Sequence, residues 1–451
     1  MKNDLVESFS GIRGIYGESM NESLAYQYAY SYCQLFKPHS LIIAGDTRKS
    51  TPILKKAMIR AFQDCGIEKI IDAGIIPVQV CEYGVQKFKA DGGVYISASH
   101  NEPEYNGFKF LKKDGALLYQ DQINSLIKEV YKNQEYVTKD NKTKIIDKEK
   151  EIIDNYIDFV LERVGKTKTK GLRILIDPNG GSGIAVLKRL FAKLGVQAEI
   201  INNQMGEFKR LIEPNDQSLK YLQKELKDES FACGFDCDAD RVVIVLKDQI
   251  VSGQYVLALA CDSLLEGTKD QIVVTNDCTS YLVRDIIKNH GATMKEVEVG
   301  EMNVVSEMEK QGSIIGGEGS CGGVIIPPIK CRDGIMTVCL ILKMMADKKK
   351  SLDGILDDYP KYFSERAKLT CSSDKVFGIK DKIEKYFDKF EMKKTGGSTG
   401  GLKILIDKSL YIWFRQSKTE AGTFRIIVDG DNQKKVKELL NQGVKLFNKF
   451  K

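Results

Sequence analysis

One order of segments occurs three times in this 451-residue chain, and it restricts the fold more than any single motif does. Leu41-Ile-Ile-Ala-Gly-Asp46 is a short apolar run. A helix-period stretch follows from about Pro52 to Cys65, Gly66 closes it, and Lys69-Ile-Ile-Asp72 is a second apolar run. The order recurs in Leu172-Arg-Ile-Leu-Ile-Asp177, a helical stretch to Leu194, Gly195 and Ala198-Glu-Ile-Ile201. It recurs again in Gln271-Ile-Val-Val-Thr275, a helix to Asn289, Gly291 and Glu296-Val-Glu-Val299. Strand, helix, C-cap glycine, strand is the grammar of a right-handed βαβ unit. Charged, helix-rich segments separate the copies, so three consecutive α/β domains are expected, each with its own mixed or parallel sheet, rather than one large doubly wound sheet. Lys148 to Leu161 predicts an amphipathic helix entering the second copy, and Val251 to Leu265 leads into the third. After Tyr359 the pattern changes: Trp413, Phe414 and Phe424-Arg-Ile-Ile-Val428 read as strands and Asn432 to Phe450 as one amphipathic helix, a small α+β domain. The expected division is 1–150, 151–250, 251–365 and 366–451.

Composition narrows the classes of function. Hydrophobic residues at 42% and charged residues at 29% describe an ordinary globular chain. The 68 Lys and Arg against 62 Asp and Glu leave a net charge of +6 with both signs mixed, which gives no argument for a nucleic-acid partner and none against phosphorylated substrates. The N-terminal stretch has no signal-peptide core, and no run approaches the roughly 18 apolar residues of a membrane span. Eleven cysteines, an odd number without a CxxC pair, and only three histidines argue for reduced thiols over a disulfide framework or a zinc site. A cytoplasmic protein, monomer or homodimer, without membrane or nucleic-acid partners is expected.

Four stretches carry chemistry. In Ser97-Ala-Ser-His-Asn-Glu-Pro-Glu-Tyr-Asn-Gly-Phe-Lys109, the apolar run Gly93-Val-Tyr-Ile96 delivers two serines and a rare histidine into a turn. A serine there can present its hydroxyl to a cleft, or it can simply cap the next segment. In Gly234-Phe-Asp-Cys-Asp-Ala-Asp-Arg241, three carboxylates at alternate positions repel one another unless a cation sits among them. Hard oxygen ligands suit Mg²⁺ or Ca²⁺. The calcium-loop template fails, because Arg241 and Lys247 stand where it needs Gly and Glu, so Mg²⁺ fits better. A solvated acidic turn competes, but an apolar strand beside it is a poor place for unpaired charge. Gly316-Gly-Glu-Gly-Ser-Cys-Gly-Gly323 lets backbone approach a ligand while Glu318 grips hydroxyls, or it is a plain glycine-rich turn. Arg415-Gln-Ser-Lys-Thr-Glu420, with Arg425 beyond, makes either a phosphate clamp or a solvated basic loop.

In this order the four stretches resemble the signatures of the α-D-phosphohexomutase superfamily (phosphoglucomutase, phosphomannomutase, phosphoglucosamine mutase), and the resemblance runs the length of the chain. The serine loop T/S-A-S-H-N-P-P is matched by Ser97 to Asn101, with Glu102 in place of the first proline and Pro103 keeping the second. The metal loop D-x-D-x-D-R is matched by Asp236 to Arg241, the sugar loop G-E-x-S by Gly317 to Ser320, and the phosphate loop R-x-S-x-T-E by Arg415 to Glu420. Ser10-Gly-Ile-Arg-Gly14 looks like the family's G-I-R-G opening.

The resemblance implies a heart-shaped, four-domain α/β enzyme with one loop from each domain at a central cleft. It implies a phosphomutase of the isomerase class that interconverts hexose 1- and 6-phosphates through a phosphoserine at Ser99 and a bisphosphorylated sugar. Mg²⁺ would be held by Asp236, Asp238, Asp240 and the phosphate on Ser99, and hexose 1,6-bisphosphate would act as activator. Arg13, Lys109, His100 and Arg241 would be the other catalytic residues, Arg241 orienting the serine loop. Glu318 and Ser320 would hold sugar hydroxyls, and Arg415, Ser417, Thr419 and Arg425 the non-reacting phosphate. Many members continue the sugar loop with a histidine two positions after the serine, where this chain has Gly322. The continuation to Arg332-Asp-Gly334 looks most like the archaeal-type branch, which includes phosphoglucosamine mutases. Two other readings are a non-catalytic sugar-phosphate-binding protein and an NAD-dependent dehydrogenase. The second rests on Gly181-Ser-Gly183, whose fingerprint is broken by Val186.

Overall fold

The computed structural model covers residues 1–451 and describes all of them except 1–4, 9, 133–135, 140–141, 168, 321, 371–375, 398–399 and 418–421. The chain forms two compact units: residues 1–251 with 325–349, and residues 252–324 with 350–451.

The first unit contains two sheets. The larger has seven strands in the order Val6–Ser8, Gly11–Ile15, Tyr105–Lys112, Gly92–Ile96, Ser40–Gly45, Lys69–Ile75 and Lys144–Asp147. Its last four strands are parallel, as βαβ crossovers demand, and the first three join them as antiparallel neighbours. The predicted helix from Pro52 is found at Thr51–Asp64, with the proline in its first turn where a missing N–H costs nothing. Core side chains such as Tyr28, Tyr32, Leu54, Phe62 and Phe108 fill the space under the sheet. The second sheet runs Ile250–Val251, Val242–Val245, Phe231–Phe235, Arg173–Asp177, Gln197–Ile200. Helix Ile184–Leu194 stops at Gly195, which takes φ 72°, a conformation a side chain would disfavour. Helix Gly334–Lys348, distant in sequence, packs on helix Glu149–Val164 and strand Val242–Val245.

The second unit carries the third repeat. Thr293–Val297, Ile272–Asn276 and Ile315–Gly317 are parallel strands. The expected strand at Glu296–Val299 starts three residues earlier. It is an edge strand whose residues are at best half-buried, so its sequence lacks the apolar run that marks a central strand. The C-terminal sheet is antiparallel throughout, in the order Phe363–Thr370, Thr423–Gly430, Leu410–Gln416, Leu402–Leu405, Glu391–Lys394. Helices Val376–Tyr386 and Gln433–Phe450 share its apolar core. The described cysteines are all free thiols. No helix among the described residues is long and apolar enough to cross a membrane.

Candidate active site

In the first unit, the buried strand Gly92–Ile96 ends at the serine loop. Ser99 sits in the left-handed region at φ 51°, a strained conformation for a residue with a side chain. Two bonds secure it. The Ser97 hydroxyl accepts the Ser99 N–H at 2.8 Å, and Arg48 donates to the Ser99 carbonyl at 3.0 Å. The chain then returns antiparallel along Tyr105–Lys112, which sets Lys109 directly opposite Tyr95. The next strand over pairs Arg13 with Gly107, where a side chain would meet the backbone oxygens of Ile12 and Ser97. Register thus brings Arg13 and Lys109 to one face of the sheet, although 96 residues of chain number separate them (109 − 13).

The metal loop leaves strand Phe231–Phe235 and turns through Ala239 at φ 58° before the chain resumes as Val242–Val245. Its three carboxylates are buried. Ser99 Oγ donates to Asp236 Oδ2 at 3.1 Å, and Ser97 Oγ lies 3.5 Å from Asp238 Oδ2. Lys109 Nζ donates to Asp238 Oδ2 at 2.6 Å, and Arg332 to Asp240 Oδ2 at 3.1 Å. Arg241 donates its N–H to Asp236 Oδ1 at 3.2 Å and pairs with Glu213 at 3.1 Å, while its Nε stands 3.8 Å from Asp240 Oδ1. Serine, lysine and three aspartates are therefore one cluster.

Burial, and then the charges of Asp238 and Asp240, hold the Asp236 carboxyl well above the ordinary range. Burial works the same way on Asp240, but Arg332, Lys109 and Arg241 outweigh it and hold that carboxyl low. Burial would lower Lys109, yet Asp238 and Asp240 raise it, so its ammonium stays charged. His100 is pushed down to about 2 by burial, then by Arg241 and Arg13, so the ring is neutral. The residues fit a hard cation. Asp238 Oδ1 and Asp240 Oδ1 are buried without a hydrogen-bond partner, and the three aspartates place ligand oxygens within 4.8 Å of one another.

In the second unit, Glu318 is buried, and its Oε1 accepts from Asn276 Nδ2 and from the Gly300 N–H, both at 2.9 Å. Ser320 is exposed beside it. A side chain on Gly319 would meet the end of the Gln254 side chain, which would have to move aside. Arg415 is buried, donates to Glu298 at 3.2 Å, and lies directly opposite Arg425 in the antiparallel ladder. The Ser417 N–H closes on the Thr423 carbonyl at 2.7 Å. Thr419 lies outside the described residues.

Known proteins are similar to this chain over nearly its whole length. The description "Phosphoglucomutase/phosphomannomutase, alpha/beta/alpha" matches three times: domain I over 7–137, domain II over 154–249 and domain III over 252–362. A phosphoglucomutase/phosphomannomutase of Thermococcus kodakarensis is 32% identical over 450 residues, 97% of each chain. The chain belongs to the α-D-phosphohexomutase superfamily. A phosphoglucosamine mutase of Prochlorococcus marinus is 29% identical over 454 residues, covering 96% of this chain and 95% of that one. The crystal structure of a phosphoglucomutase/phosphomannomutase family protein of Burkholderia thailandensis superposes with TM-score 0.86 at 20% identity, over 100% of this chain and 98% of that one.

This phosphohexomutase also uses residues that its motifs did not single out. Arg48 is almost wholly buried, is paired with Asp46, and donates to the carbonyls of Ser99, Asn101 and Tyr105. It grips the serine loop from beneath. Its position at the carboxyl end of the first repeat's strand, where open α/β sheets gather their ligands, was the available signal. Arg210 braces the metal loop through Asp177 and the Phe235 carbonyl. The glycine turn at Gly181–Gly183 is not free for a dinucleotide. Ser182 gives both its N–H (2.8 Å) and its hydroxyl (2.9 Å) to the Cys237 carbonyl of the metal loop.

Proposed function

We propose that this phosphohexomutase interconverts hexose 1-phosphates and hexose 6-phosphates, an isomerase-class phosphoryl transfer in which Ser99 carries the phosphate. The observation that carries the reading is the Ser99 hydroxyl, held in a strained turn and hydrogen-bonded at 3.1 Å to a buried carboxylate of a three-aspartate loop. Phosphate passes from Ser99 to the free hydroxyl of a bound hexose phosphate, and the bisphosphate turns over. The other phosphate then returns to Ser99. Asp236, Asp238 and Asp240 would hold Mg²⁺, which when bound supplies positive charge to phosphate oxygens on Ser99. Lys109 stays protonated, so its part is to stabilise charge, with Arg13 beside it and Arg241 orienting the serine loop. His100, neutral, serves as a hydrogen-bonding group beside Ser99. Glu318 and Ser320 hold sugar hydroxyls. Arg415, Ser417, Thr419 and Arg425 hold the phosphate that is not reacting, and hexose 1,6-bisphosphate primes Ser99 when its phosphate is lost.

The buried free thiols support a reducing, cytoplasmic setting. Glucosamine phosphate is the first sugar to test, because the sugar loop continues to Arg332-Asp-Gly334 in the archaeal-type pattern. The experiment is intact-mass and peptide mapping of the isolated protein, with assays on the 1-phosphates of glucose, mannose, glucosamine and N-acetylglucosamine. One phosphate on Ser99, lost on mixing with a turned-over sugar phosphate, is expected. Phosphate on Ser97, or turnover without any phosphoprotein, contradicts the reading.

A further inference from the structure

We infer that Arg332 is a built-in counter-ion for the metal loop, occupying Asp240 when no divalent cation is there and so weakening the loop's hold on that cation. The inference rests on the reading that the three aspartates bind such a cation. It adds a residue that the serine, metal, sugar and phosphate motifs do not include.

Three observations lead to it. Arg332 Nη2 donates to Asp240 Oδ2 at 3.1 Å, with both side chains largely buried, at 13% and 3% exposure. Asp240 is a member of the triad, and its other oxygen has no hydrogen-bond partner, so guanidinium and cation would divide the charge of one carboxylate. The segment carrying Arg332 is also fastened to the loop independently of that ion pair. The Gly334 N–H donates to the Ala239 carbonyl at 3.3 Å, and Gln79 donates to the same carbonyl at 3.1 Å. Gln79 also reaches Asp333 at 3.3 Å, and Asp333 takes the Tyr156 hydroxyl on both oxygens at 2.9 and 2.8 Å. The guanidinium is thus presented to Asp240 by a backbone that stays put whether or not the pair is made.

Charge arithmetic gives the direction. Asp238 already has Lys109, and Asp236 has the Arg241 N–H and the Ser99 hydroxyl. Asp240 takes its hydrogen bond from Arg332, on a separate segment of the chain. A positive charge held at this distance in a partly desolvated site repels an incoming divalent cation and draws on the same carboxylate's charge. Removing it should therefore tighten metal binding while weakening the metal-free fold. A brace that only shaped the loop would weaken both.

The test uses the full-length protein, with Mn²⁺ as probe, read by electron paramagnetic resonance of free Mn²⁺ and by melting temperature, so activity is not the readout. Arg332→Gln should bind Mn²⁺ more tightly than the parent, on the order of tenfold. It should melt lower without metal and recover most of the loss at saturating Mn²⁺. Arg332→Lys, which keeps the charge, should stay close to the parent in affinity. Equal or weaker Mn²⁺ binding by Arg332→Gln overturns the inference. So does an Arg332→Gln protein that fails to fold even with Mn²⁺, since Arg332 would then be a structural brace. If the parent itself binds no Mn²⁺, the metal assignment fails and the counter-ion role falls with it. If the parent binds and the variant is no tighter, only the counter-ion role fails.

Discussion

At the residue scale, the two serines of the active loop divide their work by geometry. Ser99 points its hydroxyl at Asp236, whereas Ser97 spends its oxygen on the Ser99 N–H. With Ser99 as the proposed phosphate carrier, Ser99→Ala should remove the phosphoprotein and lower turnover by roughly three or more orders of magnitude. Ser97→Ala loses one hydrogen bond, about 1 kcal/mol or about fivefold in kcat. A Ser97→Ala protein without phosphate would reverse the assignment. The serine register was legible because it is written in contiguous residues. Arg48 was not, since a buried arginine reveals its partners only when Ser99, Asn101 and Tyr105 are brought over it. Arg48→Met should leave the buried Asp46 without its ion-pair partner, costing about 3–5 kcal/mol in urea unfolding. Arg48→Lys should rescue only part, since an ammonium lacks the planar fork that spans several carbonyls. His100 supplies a pH test. Its folded pKa is about 2, against about 6.5 when unfolded. Between those values the unfolded chain binds the extra proton, so this residue's stabilising effect is full above pH 6.5 and is lost as pH falls. The melting temperature of His100→Gln should therefore drop less than the parent's from about pH 7 to about pH 5. Equal slopes would show that the ring is not held neutral.

At the scale of elements, the repeat was readable because each βαβ unit is local: an apolar run, a helical period and a glycine stop lie next to one another. What could not be read was pairing across distance. The ladder between Leu410–Gln416 and Thr423–Gly430 sets Arg415 opposite Arg425, and Lys368 on strand Phe363–Thr370 lies opposite Arg425 on its other side. Like charges directly opposed in a sheet cost roughly 0.2–1 kcal/mol a pair, and Glu298 offsets part of that cost at Arg415. Inorganic phosphate should raise the melting temperature, and Arg425→Ala should shrink that gain. On the proposed reading, Arg415→Ala removes a charge-assisted contact to the non-reacting phosphate, which is bound in ground and transition states alike. That is about 1.5–3 kcal/mol, expected as a raised KM with kcat nearly unchanged. The variant should also depend more on added hexose 1,6-bisphosphate, because the clamp holds one end while the intermediate turns. A fall in kcat alone would place Arg415 at the reacting phosphate.

At the scale of the whole molecule, the chain leaves its first unit after Val251 and re-enters it from Ile325 to Lys349. The inserted helix Gly334–Lys348 is apolar nearly all round, with Gly334 to Leu342, Met344 and Met345 buried. Such a helix announces that it is covered but not by what, which is why sequence order placed it with its neighbours in the third repeat. Its partners, helix Glu149–Val164 and strand Val242–Val245, belong to the second repeat. The same segment carries Arg332, Asp333 and Gly334 to the metal loop. A helix packed on the second repeat and the ion pair to Asp240 therefore arrive from a part of the chain synthesised after the third repeat has begun. Residues 1–251 alone would leave the faces of that helix and strand bare. The fragment is expected to bind a hydrophobic dye and to lack a cooperative melting transition. Joining 325–349 to it through a flexible linker should restore the transition and the Mn²⁺-dependent rise in melting temperature. In the full chain, Ile341→Ala should cost about 2–5 kcal/mol, the range for a buried aliphatic side chain. A fragment 1–251 that melts cooperatively and responds to Mn²⁺ as the full chain does would show that the returning helix only decorates the first unit.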